Sequence, residues 1–216
     1  MNFENIKEYL CEEIGKGDGG NGKVYQHKKY PSRVIKVTPV TDPNKNWLNK
    51  NTPDALAEEF EIAKKAGELG VSPKVYGEEI SMIKDPIKNT SKSYMEMDKI
   101  IGKTITTRKE VDEYLDEIMR KFDILKQAGI YREDNKSANF MIGKLPHSEK
   151  VDVYIIDFGG AEYISPDKIN NDKHRIHTAI CHNFDHHLGG TKYIKKSVRK
   201  IKRNKRKTNR KSYRRL

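Results

Sequence analysis

The feature that most constrains this chain is a pair of polar motifs separated by two short apolar runs. Asp134-Asn-Lys-Ser-Ala-Asn139 leads directly into Phe140-Met-Ile-Gly143, and Val151-Asp-Val-Tyr-Ile-Ile156 leads into Asp157-Phe158-Gly159. Both runs are rich in β-forming residues, and the polar segment between them is typical of a β-hairpin turn. Such a hairpin would place Asn139 and Asp157 at neighbouring strand ends, so the sequence predicts one polar site built from both motifs.

The two motifs resemble the catalytic loop and the metal-binding Asp-Phe-Gly segment of protein kinases. The resemblance implies that Asp134 orients the attacking hydroxyl, while Asn139 and Asp157 hold Mg²⁺ on the phosphates of ATP. Antibiotic and choline kinases commonly carry histidine at the position of Lys136, so this lysine favours the protein kinases. By the same resemblance Lys136 would neutralise charge on the transferred phosphate.

A glycine-rich segment near the amino terminus resembles the loop that covers the phosphates in the same superfamily. Gly17-x-Gly19-x-x-Gly22-x-Val24 is followed by Arg33-Val-Ile-Lys36-Val. Glycine lets a backbone approach phosphates closely, and the resemblance makes Lys36 the contact to the α- and β-phosphates. Two registers are open, because Ile14 before Gly15 would also supply the apolar residue that the family places before its first glycine. The glycines alone are also compatible with an ordinary hairpin turn.

Thr52-Pro53-Asp54 predicts the start of a helix, with a capping hydroxyl, a proline in the first turn and an acid near the positive end of the dipole. The helix is expected to end by Gly67 or Gly70. The kinase resemblance implies a glutamate partner for Lys36, and we choose Glu59, with Glu58 as the alternative. Apolar residues recur at helical spacing on two adjacent faces, namely Leu56, Phe60 and Ala63 on one and Ile62 and Ala66 beside Glu59 on the other.

The segment from Ser93 to Ile105 resembles the fifth strand and the hinge of the family. By this resemblance Met97 closes the back of the adenine pocket, and the backbone of Asp98, Lys99 and Ile100 faces adenine. A plain core role for Met97 is compatible with this. Glu110 to Gln127 then predicts an amphipathic helix, with an apolar face of Val111, Tyr114, Leu115, Ile118, Met119, Phe122 and Leu125.

Two departures from the family pattern shape the functional prediction. Glu133 replaces the arginine that typical members carry before the catalytic aspartate, so control by a phosphorylated activation loop is not expected. Fifty-seven residues follow Gly159 in this chain of 216, without an Ala-Pro-Glu motif. The chain therefore resembles minimal kinases, namely the small kinase of the KEOPS complex, the RIO family and short effector or viral kinases. Its reduced carboxy-terminal part implies unusual substrate recognition or an activating partner protein.

The resemblance implies an α+β, bilobal protein-kinase-like fold. We expect a β-rich N-lobe in residues 1–100, a reduced helical C-lobe in residues 101–191 and a basic tail in residues 192–216. The implied activity is transfer of the γ-phosphate of ATP, with Mg²⁺, to a serine or threonine hydroxyl of a protein substrate. Two rivals are a pseudokinase or binding module that acts through its tail, and a partner-dependent ATPase in a nucleic-acid-associated complex.

The tail carries the charge of the chain. Lys192 to Leu216 holds 14 Lys and Arg residues and no acid, more than the whole net charge of +12. Such a block predicts binding to nucleic acid or an acidic partner without sequence-specific recognition, and simple solubilising charge is the alternative.

No run of the sequence is long and apolar enough to span a membrane, and the start lacks a signal pattern. An intracellular location, cytoplasmic or nuclear, is expected, or the virion or host cell for a viral protein. Cys11 and Cys181 are expected to be reduced there. The segment from His174 to His187 matches no established zinc spacing and is expected to be a residual helix below the catalytic loop.

Overall fold

A five-stranded antiparallel sheet dominates the amino-terminal part of the computed structural model, which describes residues 6, 8–16, 22–41, 51–85, 89–182 and 184. Its strand order is β1-β2-β3-β5-β4. The strands are β1 (Leu10–Lys16), β2 (Lys23–His27), β3 (Arg33–Val40), β4 (Val75–Asp85) and β5 (Thr90–Asp98). β3 is the central strand, and it buries neighbouring residues on both faces, as its near-continuous apolar run requires.

The first predicted helix is confirmed as α1 (Pro53–Glu68), which packs against β4. It starts where the capping signal indicated, because the Thr52 side chain accepts a hydrogen bond from the Ala55 N–H at 3.3 Å. Both predicted faces are buried, including Glu59. The chain leaves the helix through Gly70, whose φ of +69° lies in the left-handed region that favours glycine.

The second predicted helix is α2 (Arg108–Gln127), which begins two residues earlier than expected. Thr107 and Glu110 form a reciprocal capping box, and this fixes the start ahead of the apolar pattern. Val111, Ile118, Phe122 and Leu125 are buried as predicted, and so is Lys121, which the apolar pattern did not include.

The predicted β-hairpin is confirmed, since β8 (Phe140–Lys144) pairs antiparallel with β9 (Asp152–Ile155). β6 (Ile101–Thr104) pairs with the other edge of β8. Two short strands, β7 (Ile130–Tyr131) and β10 (Glu162–Tyr163), pair on either side of the hairpin in sequence. Residues 173–182 form a further helix, α3.

β6 and β8 approach closely where Gly102 faces Gly143. A Cβ atom on Gly102 would overlap the carbonyl oxygen of Ile142, and one on Gly143 would lie 2.6 Å from that of Ile101. The two glycines therefore permit the close contact, because a side chain at either position would push the strands apart.

The described elements make an α+β protein with antiparallel sheets, which confirms the prediction at this level. None of the helices in the described ranges is long and apolar enough to cross a membrane. The predicted tail, residues 192–216, lies outside the described residues, as do His186 and His187.

Candidate functional site

A cavity of about 390 Å³ is lined by both the five-stranded sheet and the β8–β9 hairpin. Four of its polar residues, Lys36, Glu59, Asn139 and Asp157, were singled out in the sequence. The volume falls within the roughly 300–1,000 Å³ typical of small-molecule sites. The remaining wall is mainly apolar, and its apolar residues are Ile14, Val24, Val34, Ala63, Pro73, Val75, Met95, Met97, Ile100, Ala138, Met141, Ile156 and Phe158.

Lys36 is held by carboxylates from two distant parts of the chain. Its Nζ lies 2.6 Å from Glu59 Oε1 and 2.8 Å from Asp157 Oδ1. The partner on α1 is Glu59, which is buried, whereas Glu58 is exposed. Burial disfavours the charged lysine, but attraction to Glu59 and Asp157 outweighs burial and raises the pKa of Lys36 above its ordinary value. Lys36 is therefore a fixed cation on the cavity wall.

Asp157 adopts a left-handed backbone conformation just after β9, with a φ of 69°. This conformation is uncommon for residues other than glycine, and aspartate tolerates it better than most. Burial would raise the pKa of Asp157, but Lys36 and the Gly159 N–H together lower it to about 2. The carboxylate is thus ionised at neutral pH, and its side chain remains 42% exposed. It can accept a second cation from the cavity.

Asn139 is buried at the end of the 3₁₀ turn Ser137–Asn139. Its Nδ2 donates to the Asp134 carbonyl oxygen at 3.0 Å, which orients the amide and leaves Oδ1 for another partner. The Ile156 N–H donates to the Asn139 carbonyl oxygen at 2.9 Å. Asn139 and Asp157 therefore lie at neighbouring strand ends, as the hairpin predicted.

Asp134 and Lys136 line a separate, open groove of about 540 Å³. Lys136 Nζ lies 3.1 Å from Asp134 Oδ2, and the Asp134 side chain is 49% exposed. The groove is also lined by His174, Arg175 and Thr178 of α3. A large molecule can therefore reach the Asp134 carboxylate from this groove.

Both ends of the glycine-rich segment lie at the cavity. Gly17 and Gly19 fall outside the described residues. A Cβ atom on Gly22 would lie 3.4 Å from Thr38 Oγ1 and 3.8 Å from Lys36 Cε, so this glycine sits over the lysine strand. Ile14 and Val24 both line the cavity, and the two possible registers of the segment stay open.

The predicted hinge residues line the opposite part of the wall, where Met97 pairs in register with Val34. The Asp98 carboxylate accepts a hydrogen bond from the Tyr76 hydroxyl at 2.7 Å. The N–H groups of Asp98 and Lys99 donate to carbonyl oxygens of the protein at 2.9 and 2.8 Å. Of the three hinge residues, Ile100 is the one from which a ligand could take an N–H donor.

Arg132 is a site residue that the sequence analysis missed. It is 4% exposed, and its Nη2 donates to the carbonyl oxygens of Asp134 at 2.6 Å and Asp157 at 3.1 Å. The guanidinium carbon lies 5.6 Å from the ring centroids of both Phe140 and Phe158. One side chain thus joins the backbones of the two polar motifs. The sequence signal was an arginine two positions before Asp134, but no pattern indicates which carbonyls it reaches.

The described part of the His-rich segment forms α3 and contacts α2. His177 Nε2 lies 2.7 Å from Asp112 Oδ1 and 3.7 Å from Cys181 Sγ. Both contacts fall on one ring nitrogen of His177. Within the described ranges, no group of three or more His, Cys, Asp or Glu side chains is placed to hold a metal ion.

No family model matches this chain, and the search of curated proteins finds no significant match.

Proposed function

We propose that this protein is a minimal serine/threonine protein kinase with a bilobal kinase-like fold. The observation that carries the proposal is the contact of Lys36 with both Glu59 and Asp157 at a cavity whose remaining wall is mainly apolar. A phosphoryl-transfer site needs a fixed cation for the phosphates and carboxylate or amide oxygens for a metal, and these groups meet here.

The residues present fit ATP and Mg²⁺. Apolar side chains such as Val24, Met97 and Met141 provide walls for a flat, apolar ring, and the Ile100 backbone provides hydrogen-bonding groups beside them. The Asp157 carboxylate and the Asn139 amide oxygen are hard oxygen ligands, the type that Mg²⁺ prefers. Mg²⁺ bound there would neutralise charge on the β- and γ-phosphates.

Asp134 would orient the hydroxyl that accepts the phosphate. Its exposed carboxylate can accept a hydrogen bond from a serine or threonine hydroxyl that enters through the open groove. Lys136 lies beside this carboxylate and would stabilise charge that develops on the transferred group. The contacts of Arg132 hold the two motifs in one arrangement, so the acceptor and the metal ligands keep a fixed distance.

The activity test is transfer of labelled γ-phosphate from ATP with Mg²⁺, both to the protein itself and to acidic and basic protein substrates. Asp157→Ala and Asp134→Asn should each lower the transfer rate by 100-fold or more, on the order expected for losing a metal ligand or an orienting carboxylate. Asp134→Asn should still bind ATP. Asp116→Asn is the matched control, because Asp116 is an exposed carboxylate on α2 that contacts Lys173.

Each result assigns the protein to a class. Label transfer that persists in Asp157→Ala would contradict the kinase assignment. ATP binding without transfer would favour the pseudokinase or binding module. Hydrolysis of ATP without a labelled protein would favour the ATPase in a nucleic-acid-associated complex. If activity needs a partner protein, label transfer should appear when a fraction that contains this partner is added.

A further inference from the structure

His27 is a buried histidine at the end of β2, and its side chain closes the β2–β3 turn, residues 28–32. The residue is 3% exposed. Its Nδ1 accepts hydrogen bonds from the backbone N–H groups of Lys29 at 3.0 Å and Tyr30 at 3.1 Å. A ring nitrogen that accepts hydrogen bonds carries no proton, so the proton of the neutral ring lies on Nε2.

The Nε2 side of the ring faces Glu96 of β5. Nε2 lies 3.6 Å from Glu96 Oε1, and the same oxygen accepts a hydrogen bond from Arg33 Nη1 at 2.8 Å. The rings of Tyr9 and Tyr30 pack against His27, with centroids 5.6 and 4.9 Å away. Glu96 is the charge among these groups that favours a protonated ring, and Arg33 pairs with it.

The surroundings of His27 favour its neutral form. Burial is the largest cause that lowers the pKa of His27 below its ordinary value of 6.5. The charges of Arg33 and Lys29 act in the same direction, and Glu96 opposes them. A second proton on the ring would have to lie on Nδ1, where it would point at two N–H groups and remove their acceptor. Protonation of His27 and the closed turn therefore exclude each other.

The β2–β3 turn is also bonded to the predicted hinge. The Lys99 N–H donates to the Ser32 carbonyl oxygen at 2.8 Å. Lys99 Nζ donates to Gln26 Oε1 at 2.6 Å, and Gln26 Nε2 donates to the Pro31 carbonyl oxygen at 2.9 Å. Lys99 and the next residue, Ile100, both line the larger cavity. The closed turn therefore supports the backbone of the cavity wall.

We propose that His27 is a positioning residue that holds the hinge in place through the β2–β3 turn and releases it when the ring is protonated. The two N–H contacts of His27 hold the start of the turn, and the Ser32 carbonyl oxygen at its end holds Lys99. Loss of the first contacts would free the turn, so Lys99 would lose a fixed partner at the cavity wall. Binding of a ligand in the cavity should then weaken. That the ligand is ATP with Mg²⁺ rests on the proposed function, whereas the release of the hinge does not.

The direction and size of the effect follow from the linkage between protonation and opening. His27 stays neutral in the closed turn and has its ordinary pKa of 6.5 in the open turn. The stability that His27 gives the closed turn is therefore fully present above pH 6.5 and is lost as the pH falls below it. The opening equilibrium should rise about tenfold per pH unit below 6.5, up to about 30-fold at pH 5.

Amide hydrogen exchange of the full-length chain, followed by NMR, measures this opening without a ligand. Protection of the Lys29, Tyr30 and Lys99 N–H groups should fall by up to about 30-fold between pH 7 and pH 5, after correction for intrinsic exchange. At pH 7 the ring nitrogens of His27 should show the tautomer with hydrogen on Nε2.

Two variants separate His27 from other titrating groups. His27→Asn supplies an amide oxygen that can accept the same two N–H groups but does not titrate, so its protection should stay constant between pH 7 and pH 5. His147→Asn is the matched control, because His147 is an exposed histidine between β8 and β9. It should keep the pH dependence of the wild type.

The second measurement is the affinity for ATP with Mg²⁺ at pH 7 and pH 5 in the same three proteins. Titration of the nucleotide is common to all three, so it cancels in the comparison. On acidification the wild type and His147→Asn should lose more affinity than His27→Asn, by up to about 30-fold, the limit that linkage sets.

Three results would overturn the proposal. Constant protection of Lys29 and Tyr30 in the wild type would show that protonation does not open the turn. A wild-type pH dependence in His27→Asn would assign the effect to another group, such as Glu96. Opening of the turn with constant protection of Lys99 would show that the turn does not hold the hinge. If no protein binds ATP at either pH, the proposed function fails, and the exchange of Lys99 still decides the role of His27.

Discussion

Lys121 is a buried charge that connects three elements of this protein. Lys121 is 1% exposed on a helix face that the pattern predicted to be apolar. Its Nζ donates to the Gly70 carbonyl oxygen at 2.7 Å and to Asp152 Oδ2 at 3.0 Å. The lysine therefore ties α2 both to the end of α1 and to β9, and it does so through charge rather than apolar packing.

Replacing Lys121 by methionine keeps the volume of the side chain but leaves Asp152 and the Gly70 carbonyl without this donor. We expect Lys121→Met to lower the free energy of unfolding by about 3 kcal/mol, the order seen when one partner of a buried pair is lost. Urea denaturation measures the change. Adding Asp152→Asn should recover part of the loss, and Lys109→Met on the exposed side of α2 should change stability little. If the double variant is less stable than Lys121→Met by as much as a second broken ion pair would cost, then Lys121 and Asp152 do not stabilise the fold as a pair.

The elements of this fold are fixed at their ends, and α2 shows how. Glu110 accepts hydrogen bonds from the N–H groups of Thr106 at 2.9 Å and Thr107 at 3.1 Å, and it also pairs with Lys103 of β6. The capping carboxylate thus connects the helix start to the strand that follows the hinge.

This cap predicts that α2 is sensitive to acid. The hydrogen bond from Lys103 is the largest cause that lowers the pKa of Glu110 to about 2, from an ordinary value of 4.5. A lowered pKa contributes stability that is present above pH 4.5 and is lost as the pH falls towards 2. We expect Glu110→Gln to cost about 1 kcal/mol at neutral pH. Between pH 4.5 and 2, the stability of Glu110→Gln should change less than the stability of the wild type. Denaturation at each pH measures both. Glu113→Gln, an exposed neighbour, should retain the wild-type acid dependence.

The close contact of β6 with β8 is a second element-level constraint. Gly143→Ala should force the strands apart, because its Cβ would lie 2.6 Å from the Ile101 carbonyl oxygen. We expect a loss of about 1–3 kcal/mol, typical of overpacking. Under the proposed function, ATP should also bind more weakly, since Ile100 adjoins β6 and lines the cavity. Thermal denaturation and nucleotide titration measure the two effects. Lys144→Ala on the same strand is the control, and equal behaviour of the two variants would show that the close contact is unimportant.

Much of this element structure could be predicted from sequence because its signals are local. Thr52-Pro53 marks the start of α1, and alternating apolar runs mark the hairpin that carries Asn139 and Asp157. The choice of Glu59 over Glu58 followed from the expected helix face and agrees with the contact to Lys36. The contacts of Arg132 and Lys121 could not be predicted, because they depend on which distant carbonyl or carboxylate the folded chain brings near. The earlier start of α2 was not predicted, because the capping residue Thr107 lies outside the apolar pattern.

At the scale of the whole molecule, the net charge and the described fold come from different parts of the chain. The +12 net charge derives from residues 192–216, which lie outside the described residues. We expect the full chain to bind single- and double-stranded nucleic acid with an affinity that falls steeply as salt rises, because binding releases counterions. A chain shortened before residue 192 should lose this binding, measured by fluorescence anisotropy across a salt series. Equal affinity of the two chains would place the contact elsewhere.

The Lys36 contacts also set an order of events during synthesis. Lys36 and Asp157 are 121 positions apart, while Lys36 and Glu59 are 23 apart. On the ribosome, the lysine can therefore meet Glu59 long before Asp157 has been made. Until Asp157 is made, the lysine has one of its two carboxylate partners. Under the proposed function, a fragment that ends before Asp157 lacks one of the two proposed metal ligands, so we expect such fragments to be inert.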